Sequence, residues 1–353
     1  MLPTQNVNWQ DVLNFLIAMG EAVCDAAQTI LCEKPVGERV RVAGRSGSDV
    51  IYQIDRDIEE IIVNALSQRA EDFGGVVLVA EGIGETEVTT FPDHIESDAA
   101  ALRLIVDPLD GTRGLMYGKR SAFFLAGAAR NRGEQTRLSD IEAAVMVEAP
   151  TQRAYLSDTL YAIKGCGVGG ISRNLLDGSR TAFKPTPIVE PTIEGGFAQI
   201  SRFFPPGKDV LAQLEEDLLR TLFPDAPPGH ILTFEDQYIS TGGQLYELLT
   251  GKDRFTADLR ASLYRRMERE GKRIGHICHP YDLAAHLIGA EAGLIITGAD
   301  DQPLDAPMNT THPCDWMGYA NAHIHAQVAP VLRELMRKHG LLPLSTNEKR
   351  MNE

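Results

Sequence analysis

Between Leu102 and Leu115 the chain reads LRLIVDPLDGTRGL, an apolar run that ends in two carboxylates three residues apart. Such a run has the character of a buried strand, so Asp107 and Asp110 are expected at the rim of a sheet. Pro108 stiffens the turn that carries them. Two carboxylates crowded on one tight turn repel each other unless a cation lies between them, and hard oxygen donors on a rigid turn suit Mg2+. Gly111 and Thr112 follow at once. They offer backbone N–H groups and a hydroxyl beside such a cation, able to hold a phosphate and orient a water. An Asp-Pro turn closed by a threonine is the competing structural account.

Other acids stand at comparable places. Glu81 ends the apolar run VVLVAE and reaches the same rim if the two strands are neighbours, as sequential strands often are. Glu85, in the following loop, competes with it. Asp55 follows VIYQI at a predicted strand-to-helix junction, where an aspartate either caps the helix or acts on water. Asp282 lies in HPYDLAAHLIGAEAG, at the first turn of a predicted helix, where the helix dipole alone favours an acid. Other signals carry less. GCGVGG at 165–170 has the glycines of a dinucleotide loop, but no helical periodicity follows it, and a hairpin turn accounts for it better. His312, Cys314, His323 and His325 fit no standard zinc spacing. His276 and His279 lie on an extended approach to Asp282, where solvent exposure is expected and a place on the pocket rim is the alternative.

Together these segments resemble the inositol monophosphatase family, part of the lithium-sensitive phosphatase superfamily that includes fructose bisphosphatases and bisphosphate nucleotidases. DPLDGT at 107–112 matches the D-P-[IL]-D-G-T signature. YDLAAHLIGAEAG at 281–293 resembles W-D-x-A-A-G…E-A-G-G, with Tyr281 in place of Trp and His286 and Leu294 in place of Gly. LVAEGIGE and VIYQID are looser matches. The resemblance implies that Glu81, Asp107, Asp110, Asp282 and the Leu109 carbonyl hold two or three Mg2+ ions. It also implies that Asp55 and Thr112, with Glu81, activate the attacking water. Gly111, Thr112, Gln244 and Asp282 would border the phosphate and the rest of the substrate, a small phosphorylated metabolite, and the protein would be a homodimer. Two departures bear on that substrate. The acidic residue expected shortly before the W-D motif falls on Gly275, and STGGQ replaces G-S-A-A-x-D, putting Gln244 where an Asp would face sugar hydroxyls. Loss of two acceptors argues against a dedicated inositol monophosphatase, because substrate hydroxyls would be left unpaired. The expected function is hydrolysis of a phosphate monoester by metal-activated water. A bisphosphate nucleotidase is the alternative within that class, and a phosphatase-like binding protein without turnover is the alternative outside it.

The elements that must position these residues follow from the rest of the chain. With 353 residues, 43% of them hydrophobic and 24% charged, it has room for two domains or one large layered core. The net charge of −15 argues against a nucleic-acid partner, which calls for a basic face. The first residues lack the pattern of a secretory signal, no apolar run reads as long enough to span a bilayer, and five scattered cysteines fit reduced, packed thiols. A cytoplasmic location is the expectation. Helical spacing predicts a first helix over 9–31, a helix from Arg56, strands at VVLVAE, LRLIVDP, 122–129 and 141–147, and a hairpin around GCGVGG. The second half is expected to alternate: a strand at ILTFEDQYIS, helices through QLYELLT and over 282–292, a strand at GLIITG, and a last helix over 322–339. A Pro- and Gly-punctuated stretch over 183–229 around DVLAQLEEDLLRTL marks the best boundary. The predicted fold is mixed α/β (α+β), a layered αβαβα sandwich, with parts at 1–185 and 186–340 and a polar tail at 341–353.

Overall fold

The computed structural model describes residues 7–40, 42–46, 49–84, 86–272 and 275–343, without the side chains of 42–46, 49–53, 55 and 56. Glu85 and the side chain of Asp55 therefore lie outside the described residues.

Asn8 starts the helix Trp9–Glu33, its side chain accepting the Gln10 N–H at 3.2 Å. The stripe Val12, Leu16, Met19, Val23, Ala27 and Leu31 is buried. With Ile58, Ile62 and Leu66 of the helix Gln53–Arg69 it covers one face of an eight-stranded sheet. The strands of that sheet run in the spatial order Arg180–Phe183, Val168–Asn174, Leu156–Ile163, Ile141–Ala149, Ala122–Arg130, Leu102–Asp110, Val76–Ala80 and Val88–Phe91. Every pairing is antiparallel except that of Val76–Ala80 with Leu102–Asp110.

The opposite face of the sheet, through Val79, Ile105, Phe123, Leu125, Met146 and Leu160, packs on a middle layer. That layer consists of the helix Thr241–Leu249, the 3-10 turn Pro280–Leu283 and the helix His286–Ala292. A four-stranded sheet follows, in the order Phe197–Ile200, Asp253–Asp258, Trp316–Tyr319 and Ile295–Thr297. On its outer face Phe255, Ala257, Met317 and Tyr319 pack against the helices Lys208–Leu222 and Ala322–Lys338. The predicted αβαβα layering is thus present. The large sheet draws on residues 76–183 and the small one on 197–319.

Several expectations are corrected. ILTFEDQYIS is no strand: only Phe234 forms an isolated bridge, to Phe197, and Ile231, Phe234 and Ile239 are exposed. The helix expected over 282–292 is two pieces, with Pro280 opening a 3-10 turn and the α-helix beginning only at His286. The helix expected from Arg56 begins at Gln53. Phe197–Ile200, Asp253–Asp258, Trp316–Tyr319 and the helix Arg260–Arg269 were not foreseen. Cys24, Cys278 and Cys314 are buried, whereas Cys32 and Cys166 are exposed, so those two are not packing residues. The helix Trp9–Glu33 is, by length and composition, apolar enough to cross a membrane, contrary to the reading of its run. Here its apolar stripe is taken up by the sheet.

Gly127, in the middle of Ala122–Arg130, couples this packing to the acids. A Cβ there would lie 2.6 Å from the Ala284 carbonyl oxygen and from Ile141 Cδ1, so the turn that carries Asp282 approaches the sheet at backbone distance. Gly127→Ala is expected to cost about 1–3 kcal/mol of stability by overpacking as Ala284 is displaced. Denaturant unfolding measures the cost, and an unchanged midpoint would show that the turn yields freely.

Candidate active site

The parallel register pairs Ala80 with Val106, so the next residues, Glu81 and Asp107, stand side by side at one rim of the two parallel strands. Beyond them the ladder slips: Asp107 faces Leu125 while Asp110 faces Phe123, three residues against two. This bulge re-aims the strand end and brings both aspartates to the same space. The 3-10 turn Pro280–Leu283 adds the third acid. Oxygens of Asp107, Asp110 and Asp282 lie within 4.8 Å of one another.

Each carboxylate is oriented by its own donor. Asp107 Oδ1 accepts the Leu109 N–H at 3.1 Å. Asp282 Oδ2 accepts the His279 N–H at 2.6 Å. Asp110 Oδ2 accepts from the Ser240 hydroxyl at 2.9 Å and from the Gly242 N–H. Ser240 also caps the helix Thr241–Leu249, its Oγ accepting the Gly243 N–H at 2.8 Å. A Cβ on Gly242 would stand 3.0 Å from Asp110 Oδ2 and from Leu125, which is why a glycine lets this helix start so close to the acid. Gly111, at φ +90°, allows the chain to turn after Asp110, and its Cβ would lie 3.1 Å from Ser240 Cβ. Thr112 Oγ1 donates to the Leu109 carbonyl at 2.6 Å and closes the turn.

The protein atoms alone leave this site electrostatically unbalanced. Burial pushes Asp107 well above the usual carboxylate range, Asp110, Glu81 and Asp282 push it further, and the Leu109 N–H opposes them. Burial likewise raises Asp282, with Asp110 and Glu81 adding to it and the His279 N–H and Arg260 opposing. Asp110 is pushed up to about 6 by burial, against the Gly242 and Ser240 donors and Arg260. Glu81 thus acts on two of the three acids, and it also raises the Tyr281 hydroxyl after burial, Asp282's first contribution being larger. Buried carboxylates whose ionised forms are held back are compensated by bound cations. A donor set made only of oxygens suits Mg2+ rather than a softer metal.

The predicted residues fall into distinct groups. Asp107, Asp110 and Asp282 come together, with Glu81 within electrostatic reach. Leu109, Gly111 and Thr112 form the turn beside them. Asp55 is the third residue of the helix Gln53–Arg69, inside its first turn and not at its cap. Gln244 is 0% exposed, and its Nε2 donates to Ser201 Oγ at 2.8 Å and to the Tyr238 carbonyl at 3.1 Å, while its Oε1 is buried without a partner. The motif STGGQ matters instead through Ser240 and Gly242, the donors to Asp110. Gly275 is exposed, and the helix Arg260–Arg269 stands between the preceding strand and the Pro280 turn, so an acid placed by distance from Asp282 along the chain misses the strand end. The acid at the end of that strand is Asp258, which is 0% exposed and bound to Arg260. Neither residue was foreseen, although DLR directly after the run RFTA is the mark of a charged pair at a strand end. His279 and His276 are half-buried rather than solvated. His279 stacks on Tyr281 at 5.4 Å and is pushed down to about 4, first by burial and then by Arg260. Asn321 caps the last helix by accepting the His323 and Ile324 N–H groups, so His323 and His325 are residues of its first turn.

The raised acids fix a pH dependence. A folded-state carboxylate pKa above the unfolded value means that the metal-free folded protein holds more protons. That contribution to stability is complete below about pH 4 and is lost as pH rises through about 6 for Asp110. A divalent cation held by these oxygens would displace those protons, so its stabilising shift is expected to grow over the same window. Melting temperatures with and without added Mg2+ between pH 4 and pH 7 test this, and a shift independent of pH would contradict it.

No protein-family model matches the sequence, and no curated protein matches it significantly. Solved structures do resemble it. Extragenic suppressor protein suhB from Bartonella henselae superposes with TM-score 0.61 at 18% identity over 91% of this chain and 98% of that one. The Thermotoga maritima IMPase gives TM-score 0.58 at 19% identity over 94% and 100%. Leishmania major fructose-1,6-bisphosphatase gives 0.64 at 12% identity over 95% and 100%. At these identities the likeness establishes architecture, and with the layered sheets described above it shows that this chain has the fold shared by the inositol monophosphatases and fructose-1,6-bisphosphatases.

Proposed function

We propose that the protein is a Mg2+-dependent phosphatase that transfers the phosphoryl group of a small phosphate monoester to water. The observation that carries this reading is the convergence of Asp107 and Asp110, both buried, with the half-buried Asp282, carboxylates from two distant segments with oxygens within 4.8 Å and raised proton affinity. The same fold in an IMPase and a fructose-1,6-bisphosphatase supports it. Glu81, Asp107, Asp110, Asp282 and the Leu109 carbonyl hold the metal. When bound, Mg2+ supplies the charge neutralisation and Lewis acidity that phosphoryl transfer to water requires.

The chain's own groups do the rest. Thr112 donates its proton to the Leu109 carbonyl, which turns the lone pairs of its oxygen outward to accept from the attacking water and aim it. Gly111 and Thr112 offer N–H groups to the phosphate at the turn. The Ser240, Gly242 and His279 donors keep Asp110 and Asp282 in place while charge redistributes, so little reorganisation is needed during reaction. The first turn of Gln53–Arg69 carries Asp55, which we assign to the water beside Thr112.

Phosphate release from p-nitrophenyl phosphate is expected to vanish with chelator, to return with Mg2+, and to fall at least about 100-fold in Asp110→Asn with the fold intact by circular dichroism. Full turnover in chelator would remove the metal from the reaction. Thr112→Ala is expected to lower kcat by about 100-fold or more with little change in KM, the pattern of an interaction made in the transition state. Unchanged kcat with a lowered melting temperature would instead make Thr112 only a turn residue.

A further inference from the structure

We propose that Arg260 is a specificity-determining residue that selects a phosphate monoester whose leaving group carries a second anionic group, a carboxylate or a second phosphate. The inference rests on the phosphatase reading above and concerns the part of the substrate that leaves. Arg260 opens the helix Arg260–Arg269, two residues beyond the end of the strand Asp253–Asp258. Its guanidinium binds Asp258 as a fork: Nε lies 2.9 Å from both carboxylate oxygens and Nη2 lies 2.6 Å from Oδ2. Nη1 donates to the His276 carbonyl at 3.0 Å. A guanidinium has five N–H hydrogens, and these contacts occupy one each on Nε, Nη1 and Nη2, which leaves one on each terminal nitrogen.

The fork is held rigid. The Phe203 and Phe204 rings lie 5.1 and 5.9 Å from the guanidinium carbon, and Phe204 packs on His276 at 5.2 Å. The Arg260 side chain keeps 12% exposure while Asp258 keeps none. Nη1 holds the His276 carbonyl, three residues before the His279 N–H that donates to Asp282, so the cation stands beside the segment that leads to the acid cluster, and its charge opposes the raised proton affinity of Asp110 and Asp282. The four-stranded sheet therefore holds a clamped cation on the approach to the site, with the carboxylate buried behind it.

That arrangement is wrong for a neutral polyol and right for an anion. Asp258 is committed to Arg260 and cannot accept substrate hydroxyls, and Gln244 is fully buried, its Nε2 donating to Ser201 and Tyr238. What remains is a pair of donors on a planar cation, matched by the two oxygens of a carboxylate or phosphate. An ion pair that served only to tie helix to strand would affect stability alone.

The test is equilibrium binding by calorimetry to the full chain, with Ca2+ in place of Mg2+ to block turnover. The probes are two matched pairs: 3-phosphoglycerate against glycerol 1-phosphate, and fructose 1,6-bisphosphate against fructose 1-phosphate. The charged member is expected to bind at least about tenfold tighter in one pair, equivalent to about 1.4 kcal/mol. The pair that shows the preference identifies carboxylate or phosphate as the anion. Arg260→Gln strands Asp258 as a buried unpaired charge, so the double variant Asp258→Asn/Arg260→Gln is used, together with Arg260→Lys, which keeps the charge and loses the fork. Both are expected to bring the ratio down toward one. The proposal is overturned if neither pair shows a preference, if the ratio survives both variants, or if charged and neutral probes lose affinity in parallel. Mg2+-dependent phosphate release from p-nitrophenyl phosphate is read separately. Release without any anionic preference defeats the role of Arg260 alone, and absence of release defeats the phosphatase reading.

Discussion

The repulsion among Asp107, Asp110 and Asp282 is the constraint on which the rest of the structure depends. Carboxylates crowded within 4.8 Å in a buried space are unfavourable as anions, and their raised proton affinity expresses that cost. A fold tolerates such a cluster only where the surrounding elements hold it firmly and where a cation offsets it. Here the elements are the two parallel strands, the bulge after Asp107, the start of the Thr241–Leu249 helix and the Pro280 turn. Each contributes either an acid or a donor to one.

The layers explain how segments so far apart in sequence stay in register. The large sheet is packed on both faces, so its strand ends move little relative to each other. Glycines set the tight approaches: Gly127 admits the backbone of the Pro280 turn against the sheet, and Gly242 admits a helix start against Asp110. In a core at this packing density a displacement of one element reaches the acids directly. Stability and site geometry are therefore coupled through small residues that carry no chemistry themselves.

The middle layer separates two kinds of charge. The eight-stranded sheet delivers acids at its rim, and the four-stranded sheet delivers Asp258 neutralised by Arg260. On the proposed function, a substrate would meet the acids on one side and the clamped guanidinium on the other. The polarity of the site is thus a consequence of which sheet each residue belongs to.

The sequence by itself determined the short-range features. Asp107 and Asp110 sit on one turn, so their crowding is a property of the chain and was legible in DPLDGT, as was the strand that carries them. Helical periodicity found the first, fifth-layer and last helices, because burial of one face repeats locally. The relation of Asp282 to that turn was suggested by a resemblance between motifs, whereas the meeting of their oxygens is a fact of three dimensions. Register made Glu81 the neighbour of Asp107, and register is set by pairing between strands, which no local pattern specifies. Counting along the chain misplaced the acid of the second sheet onto Gly275 because the helix Arg260–Arg269 intervenes there, and it assigned Gln244 to the pocket although the turn of its helix points it into the core. Which polar residues face a site and which are spent inside the protein was decided only by tertiary structure, since burial depends on neighbours brought from distant segments.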